Sequence, residues 1–218
     1  RIKDLNEKIN EVILDYRGNT AQSKMISKLC EYTRRSDFII KVLKKELEEK
    51  QDQQIMVLGQ NKNLLIYIHN AIEEQKIASV GYYVGGMKEA ALKISETKKI
   101  IVATYAMASE GLDIKTLSTL FLVSPRSDVV QSVGRILRIK HERPLVIDLI
   151  DPHTNFINQW NKRRTFYKKN KYKILMTDNK EYFNNNWIVN YDPETKKENN
   201  KSNQKKEDNM KGKCLIKM

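Results

Sequence analysis

The chain has 218 residues and a formal net charge of +13, with 40 lysine and arginine residues against 27 aspartate and glutamate residues. This length fits one domain with appendages, and the charge favours a polyanionic partner, although a solvated lysine-rich surface would give the same balance. No apolar run approaches the length of a membrane span, which excludes a transmembrane helix in this sequence and predicts no membrane partner.

The cysteine and histidine pattern argues against a metal centre or a disulfide framework. Cys30 and Cys214 lie far apart and follow no metal-ligand spacing, and the three histidines are scattered. We therefore expect reduced thiols in an intracellular protein, with no metal held by this chain.

The first 34 residues alternate short apolar runs with charged residues. Apolar residues from Ile9 to Tyr16 are spaced to form one helical face, which Arg17–Gly18–Asn19 would end. We expect this stretch to lead into a domain that begins at residue 35.

From residue 35 onward, strand and helix patterns alternate. The helix that starts near Ser36 or Asp37 follows Arg34 and Arg35, which are either a solvated helix start or phosphate contacts. Strand–helix alternation predicts an α/β fold with a parallel sheet covered on both faces. We expect strands over 54–58, 78–84, 99–104, 117–123 and 144–150, and helices over 37–50, around 64–72, and over 88–96, 128–139 and 153–170.

The chain changes character after residue 191. Residues 193–213 are rich in lysine, glutamate, asparagine and glutamine, with almost no apolar side chains. Such a segment cannot bury enough surface to offset chain entropy, so residues 192–218 are expected to form a disordered, weakly basic tail outside the 35–191 domain.

Two arginines give the most specific chemical signal. Arg135 and Arg138 lie three residues apart, after a glycine, near a predicted helix start. Guanidinium groups one helical turn apart point the same way, and their fixed charge and planar donors suit the charge that develops on a transferring phosphoryl group. The alternative is a surface helix whose arginines pair with acids.

Two blocks of sequence resemble motifs V and VI of the superfamily 2 helicases. The first runs from Ala103–Thr104 to Glu110–Gly111–Leu112–Asp113, and the second is Gln131-x-x-Gly134–Arg135-x-x-Arg138. Their order, spacing and strand–loop–helix context all fit. The resemblance covers about residues 35–175 and implies the second of two RecA-like domains, with residues 1–34 linking the two.

The resemblance implies ATP hydrolysis between two RecA-like lobes, with ATP and Mg²⁺ as cofactors. The sequence has neither a G-x-x-x-x-G-K-[ST] phosphate loop nor an Asp-Glu pair after an apolar strand. In the family, both lie on the first RecA-like domain, which would also hold the magnesium ion. We therefore expect that domain as a partner in the same polypeptide, and we expect this chain alone to be inactive.

The same resemblance assigns nucleotide-facing residues. It implies that Gly111, Asp113, Gln131, Arg135 and Arg138 contact ATP, with Arg135 and Arg138 as the catalytic pair. It also implies that Glu110 couples the nucleotide to the nucleic-acid side. For the glycine and the aspartate, a tight turn with a helix-capping carboxylate is the alternative.

Residues after three predicted strands are candidates for nucleic-acid contacts. Gln60 and Asn61 stand where the family has motif IV, and Thr104 corresponds to the motif V threonine. The turn Gly85–Gly86–Met87–Lys88 resembles one in helicases of large cytoplasmic DNA viruses, where Gly86 would admit a backbone and Lys88 would reach a phosphate. The alternatives are a β-branched strand residue at Thr104 and a plain strand-to-helix turn at the glycines.

A basic run over 160–173 is interleaved with Trp160, Phe166 and Tyr167. This segment could lie along a nucleic-acid strand. The alternative has the aromatic residues packed on the sheet and the cations, Arg163 among them, in solvent.

The kind of nucleic acid is open at this stage. Leu137 favours DNA-directed branches, which include the transcript-release helicase of poxviruses, and Gln131 differs from the histidine usual in DEAD-box RNA helicases. DEAH-type RNA helicases also use glutamine, so both DNA and RNA are possible partners. The protein would lie in the cytoplasm if it is viral, and otherwise in the nucleus or cytoplasm. The rival functions are a non-catalytic binding module that kept the fold and a translocase that does not separate strands.

Overall fold

The computed structural model describes residues 12–109, 114–136 and 144–195, apart from the side chains of residues 135 and 136. The strands are β1 Gln54–Gly59, β2 Val80–Tyr83, β3 Ile100–Thr104, β4 Leu117–Leu122, β5 Leu145–Asp148, β6 Ile174–Met176 and β7 Ile188–Tyr191. Within the described residues, five parallel strands form one sheet in the order β2-β3-β1-β4-β5, and the antiparallel strands β6 and β7 follow it in the chain. The helices are α1 Gln22–Cys30, α2 Thr33–Glu49, α3 Lys62–Glu74, α4 Glu89–Glu96, α5 Tyr105–Ser109, α6 Val130–Ile136 and α7 Thr154–Lys169. The predicted α/β fold is confirmed.

The first strand lies at the centre of the five-stranded sheet. β1 pairs with β3 on one side and with β4 on the other, and all of its residues are buried. A strand that is covered on both faces reads as a continuous apolar run, which Ile55–Leu58 provides. Parallel neighbours need crossover connections, and the helices between successive strands supply them.

Alternate residues of β1 divide the core into two layers. Ile55 and Val57 pack with α1, α2 and α3, whereas Met56 and Leu58 pack with α5, α6 and the middle of α7. Successive side chains of a strand point to opposite faces, so one strand serves both layers. The sheet is therefore covered on both sides, as the strand–helix alternation predicts.

The segment before α1 is not the predicted helix. Within the described residues, Leu14 pairs with Thr20 in an antiparallel bridge. The Asp15 carboxylate accepts the backbone N–H groups of Arg17 and Asn19, and Gly18 has a φ of +76°. These bonds close a tight turn that competes with a helix. The part of the predicted helix before Val12 lies outside the described residues.

Helix α1 was not predicted, and it belongs to the core. Its apolar face carries Met25, Ile26, Leu29 and Cys30, all buried in the layer that α2 and α3 also fill. Its spacing of apolar residues at i, i+1, i+4 and i+5 is helical, but the turn-like residues on either side hide it in the sequence.

Arg35 is neither solvated nor available to a phosphate, which corrects both expectations for this residue, whereas Arg34 is exposed. Helix α2 begins at Thr33, so Arg35 lies in its first turn and is buried. Its guanidinium donates to both carboxylate oxygens of Asp151, at 2.8 and 2.9 Å, and to the Val123 carbonyl at 2.8 Å. The partners lie far along the chain, so no local pattern points to this pair.

The β6–β7 hairpin was also not predicted. Between its strands, a turn of 3₁₀ helix, Tyr182–Asn184, places the Tyr182 ring edge-on to Phe38 and Trp187, with centroids 6.0 and 5.6 Å away. The Tyr182 hydroxyl donates to Glu46 at 2.6 Å, which ties the hairpin to α2. The expected tail lies outside the described residues beyond residue 195. In the part of the chain that the structure describes, no helix is long and apolar enough to cross a membrane.

Candidate functional site

The predicted site residues gather at one edge of the sheet. Because the five strands are parallel, their carboxyl ends share an edge, where open α/β sheets bind ligands. Gly59 and Thr104 are register partners across β1 and β3, and Tyr83 pairs with Ala103 across β2 and β3. The loops after β2, β3, β1 and β4 therefore follow one another along this edge.

Gln60 ties two of these loops together. Its backbone N–H donates to the Ser124 hydroxyl at 2.8 Å, and its side-chain amide donates to the Pro125 carbonyl. Asn61 caps α3, because its side-chain oxygen accepts the Leu64 N–H at 3.0 Å. Both residues lie at the strand ends as expected, and the cap gives Asn61 a structural role as well.

The glycine turn after β2 is open to solvent. Gly86 has a φ of +87°, a left-handed conformation that favours glycine. Gly85 has no such constraint, and a Cβ atom at either glycine would meet nothing within 4 Å. Lys88 occupies the exposed position before α4 and makes no side-chain cap with it. The left-handed backbone explains why residue 86 is a glycine. No contact within the molecule explains why residue 85 is one.

Thr104 ends β3 and begins the short helix α5. Its hydroxyl accepts the Met107 N–H at 3.4 Å, and the residue is half-buried. The next residues of the motif V block, including Glu110, Gly111 and Asp113, lie outside the described residues, so the structure does not describe their contacts.

A pocket of about 290 Å³ lies between α5 and the start of α6. Gln131, on the exposed face of α6, lines the pocket. The other lining residues are Ala106, Ser109, Arg126, Asp128, Val129 and Ser132. Arg135 is the penultimate residue of α6, so it lies one turn beyond Gln131 on the same helix. Its side chain, and all of Arg138, lie outside the described residues.

A buried tyrosine supports the pocket from behind. The Tyr105 hydroxyl donates to the Ser124 carbonyl at 2.8 Å, and the Arg126 guanidinium lies 5.2 Å from the centre of its ring. Burial raises the pKa of Tyr105 above its usual range, so the hydroxyl stays protonated and keeps donating at neutral pH. The first residue of α5 thus holds the loop that leads into α6.

Arg163 does not lie in solvent, which corrects the expectation for this cation of α7. It is buried against Asp148 at the end of β5, and its guanidinium donates to both carboxylate oxygens at 2.8 Å. Burial alone would lower the pKa of Arg163, but the carboxylate outweighs it and raises the pKa. The aromatic residues pack on the sheet as the second interpretation predicts, since Trp160 and Tyr167 are buried.

Among the described residues, no group of three or more histidine, cysteine, aspartate or glutamate side chains is placed to hold a metal ion. The polar groups around the pocket are hydroxyls, an amide, a guanidinium and one carboxylate. This donor set suits hydrogen bonds to a polar ligand.

The match to a known family covers the elements that build this edge. The model for the helicase conserved C-terminal domain matches residues 38–140. This stretch runs from α2 through α6 and contains every strand-end loop described above. The chain carries a helicase C-terminal domain.

Relatives of this helicase C-terminal domain occur in large DNA viruses. L396 of Acanthamoeba polyphaga mimivirus, provisionally named an ATP-dependent RNA helicase, is 40% identical over 157 residues, which is 70% of this chain and 30% of L396. QP509L of African swine fever virus, with the same provisional name, is 24% identical over 151 residues, or 64% of this chain and 30% of QP509L. The chain thus spans about 30% of the length of these relatives.

Solved structures share the fold of the helicase C-terminal domain. T4 UvsW superposes with a TM-score of 0.61 and 24% identity, over 74% of this chain and 37% of UvsW. The C-terminal domain of the DEAD-box protein Dbp5 gives a TM-score of 0.51 with 16% identity, over 67% of this chain and 83% of that domain. The RecA-like fold expected from the sequence is therefore shown.

Proposed function

We propose that this helicase C-terminal domain is the second motor lobe of an ATP-dependent superfamily 2 helicase or translocase. The observation that carries the proposal is the shared pocket of α5 and α6. Helix α5 lies within the motif V block and helix α6 carries Gln131 and Arg135, and both border the same cleft at this edge of the sheet. A surface helix pairing with acids would give no reason for this juxtaposition.

The donors of this edge fit half of an ATP site. Gln131 would contact the nucleotide from α6, Gly111 and Asp113 from the motif V loop, and Arg135 and Arg138 would face the phosphates. Bound ATP with Mg²⁺ supplies the phosphoryl group and part of its charge neutralisation, and the first RecA-like domain would hold the metal. The arginines stabilise the charge on the transferring group, because phosphoryl transfer depends on positioning and electrostatics.

The strand-end loops form the proposed nucleic-acid track. Gln60 and Asn61, Thr104, and the turn of Gly86 and Lys88 lie in neighbouring loops of one edge. The open space over Gly85 and Gly86 suits the close approach of a phosphate backbone. Glu110, between Thr104 and the nucleotide-facing residues in sequence, would couple this track to ATP.

We propose DNA as the substrate on the basis of Gln131 and Leu137, with RNA as the second candidate. The specific observation that favours RNA is the provisional name of L396 and QP509L. A protein that includes both lobes distinguishes them: its ATP hydrolysis would be measured with single-stranded DNA and RNA of one sequence, and its unwinding with matched duplexes. Stimulation by DNA alone supports the first proposal, and stimulation by RNA alone replaces it with the second.

The motor-lobe proposal has its own test with the same protein. We expect the two-lobe protein to hydrolyse ATP and the 218-residue chain to hydrolyse none, since the chain lacks a phosphate loop. Activity that follows the short chain through purification would contradict the split site. A two-lobe protein that binds nucleic acid without hydrolysing ATP would instead support the non-catalytic module.

A further inference from the structure

The buried ion pair of Arg163 and Asp148 makes two further hydrogen bonds, one on each side chain. Arg163 uses Nε and Nη2 for the Asp148 carboxylate, which also accepts the Tyr167 hydroxyl at 3.2 Å. The remaining terminal nitrogen, Nη1, donates to the backbone carbonyl of Arg126. With side-chain exposures of 3% for Arg163 and 8% for Asp148, solvent has little access to this group.

Arg126 lies in the loop that sets the start of α6. This β4–α6 loop covers residues 123–129 and ends where the Asp128 carboxylate accepts the Val130 N–H at 3.1 Å. The loop is held at Ser124 by Gln60 and Tyr105, from the β1 and β3 sides. The hydrogen bond from Arg163 holds the middle residue of the loop, Arg126.

We propose that Arg163 is a positioning residue, which fixes the β4–α6 loop and through it the helix that carries Gln131 and Arg135. Its effect on catalysis rests on the proposed function, whereas its effect on the loop does not. Arg163 lies beyond the last residue of the family match, residue 140. Helix α7 would thus supply the support that the matched segment lacks on this side of α6.

The chemistry requires an arginine at this position. A planar guanidinium can serve a carboxylate with two donors and a carbonyl with a third, all in one plane. A lysine keeps the charge for Asp148 but has no rigid fork that reaches both partners. Arg163→Lys therefore separates the carbonyl contact from the ion pair.

Hydrogen–deuterium exchange of the 218-residue chain tests the loop directly. In Arg163→Lys, we expect amides of residues 126–134 to exchange about tenfold faster or more, because a hydrogen bond from a charged donor is lost. Amides of β1 and β3 should keep their protection. Tyr167→Phe, which removes only a hydrogen bond to Asp148, should accelerate exchange of the same amides by a smaller factor.

A control variant separates positioning from general destabilisation. Arg164→Lys changes the neighbouring arginine, whose Nε donates to Asn190 at 2.8 Å on the hairpin side. Faster exchange of residues 126–134 in this control, or throughout the chain in Arg163→Lys, would overturn the proposal. Unchanged exchange of these residues in Arg163→Lys would overturn it as well.

The catalytic consequence is read from the two-lobe protein. We expect Arg163→Lys to lower kcat for ATP hydrolysis about tenfold with little change in KM, since a displaced arginine acts on the transition state. Arg164→Lys should leave both constants unchanged. Loss of loop order with normal kcat would remove only the catalytic part of the proposal. An inactive wild-type two-lobe protein would contradict the proposed function and leave the exchange result standing.

Discussion

Arg35 and Arg163 hold the end of β4 from the two opposite core layers. Arg35 donates to Asp151 and to the Val123 carbonyl, while Arg163 donates to Asp148 and to the Arg126 carbonyl. Each guanidinium thus joins a carboxylate after or at the end of β5 to a carbonyl at the carboxyl end of β4. Together they brace the loop from which α6 begins.

The Arg35–Asp151 pair predicts a large coupling energy in a double-mutant cycle. Removing one partner leaves a buried charge, so Arg35→Met or Asp151→Leu should each lower the free energy of unfolding by about 3–5 kcal/mol. The double variant should cost less than the sum, because no unpaired charge remains. Urea denaturation of the wild type, the two single variants and the double variant measures the coupling energy. If the losses of unfolding free energy in the single variants add up to the loss in the double variant, the two side chains do not interact.

Arg138→Ala is expected to abolish ATP hydrolysis by the two-lobe protein without unfolding it. Loss of an arginine finger lowers the rate by about 10³–10⁵-fold. Arg135→Ala should act in the same way, and Arg138→Lys should not restore activity, since lysine lacks the planar fork. Arg34→Ala, which removes an exposed arginine on α2, is the matched control. Near-normal turnover of Arg138→Ala would make that arginine a surface residue.

The two glycines after β2 are expected to respond differently to alanine. Gly86→Ala should destabilise the fold by about 1 kcal/mol, because an L-residue is strained in the left-handed region. Gly85→Ala should leave stability unchanged but weaken binding of a single-stranded oligonucleotide, since its added methyl group points into open space. Thermal melting and fluorescence anisotropy measure the two effects. Unaltered binding by Gly85→Ala would exclude a close backbone approach there.

Nucleic-acid binding by this domain is expected to be weak and led by charge. The affinity should fall with salt, with a slope of roughly −0.7 for each phosphate contact to a single strand. Lys88→Ala should reduce that slope, whereas Lys98→Ala, before β3 at the opposite edge of the sheet, should not. Removing residues 193–218 should lower non-specific binding and keep the fold. Complete loss of binding on truncation would move the site to those residues.

Cys30 predicts a pH-dependent loss of stability in alkaline solution. Burial raises the pKa of its thiol from 9.0 to about 11, so the protonated form is favoured in the folded state. The protonated thiol's contribution to the free energy of unfolding is fully present below pH 9 and is lost as the pH rises towards 11. The loss is on the order of 2 kcal/mol. The difference in unfolding free energy between wild type and Cys30→Ala should shrink over that range. A constant difference would contradict the shifted thiol.

The parallel sheet and the edge that carries the candidate site were predictable from the sequence. Ile55–Leu58 and the other apolar runs are long enough to be buried strands, and the helical spacings between them require crossovers. Gln60, Lys88 and Thr104 follow those runs, so their position at one edge follows from the topology alone. The helicase family also follows from the sequence, because the motif V and VI blocks are contiguous stretches.

The tertiary structure alone decided what lies behind that edge. Arg35 and Arg163 look like solvated cations in a basic sequence, since their carboxylates lie on other elements and no local pattern links them. The turn at Asp15 and Gly18 displaced the predicted helix because side-chain hydrogen bonds outcompeted a weak helical pattern. Sequence periodicity records which face of an element is apolar, whereas the partner of a buried charge depends on which chain segments meet after folding.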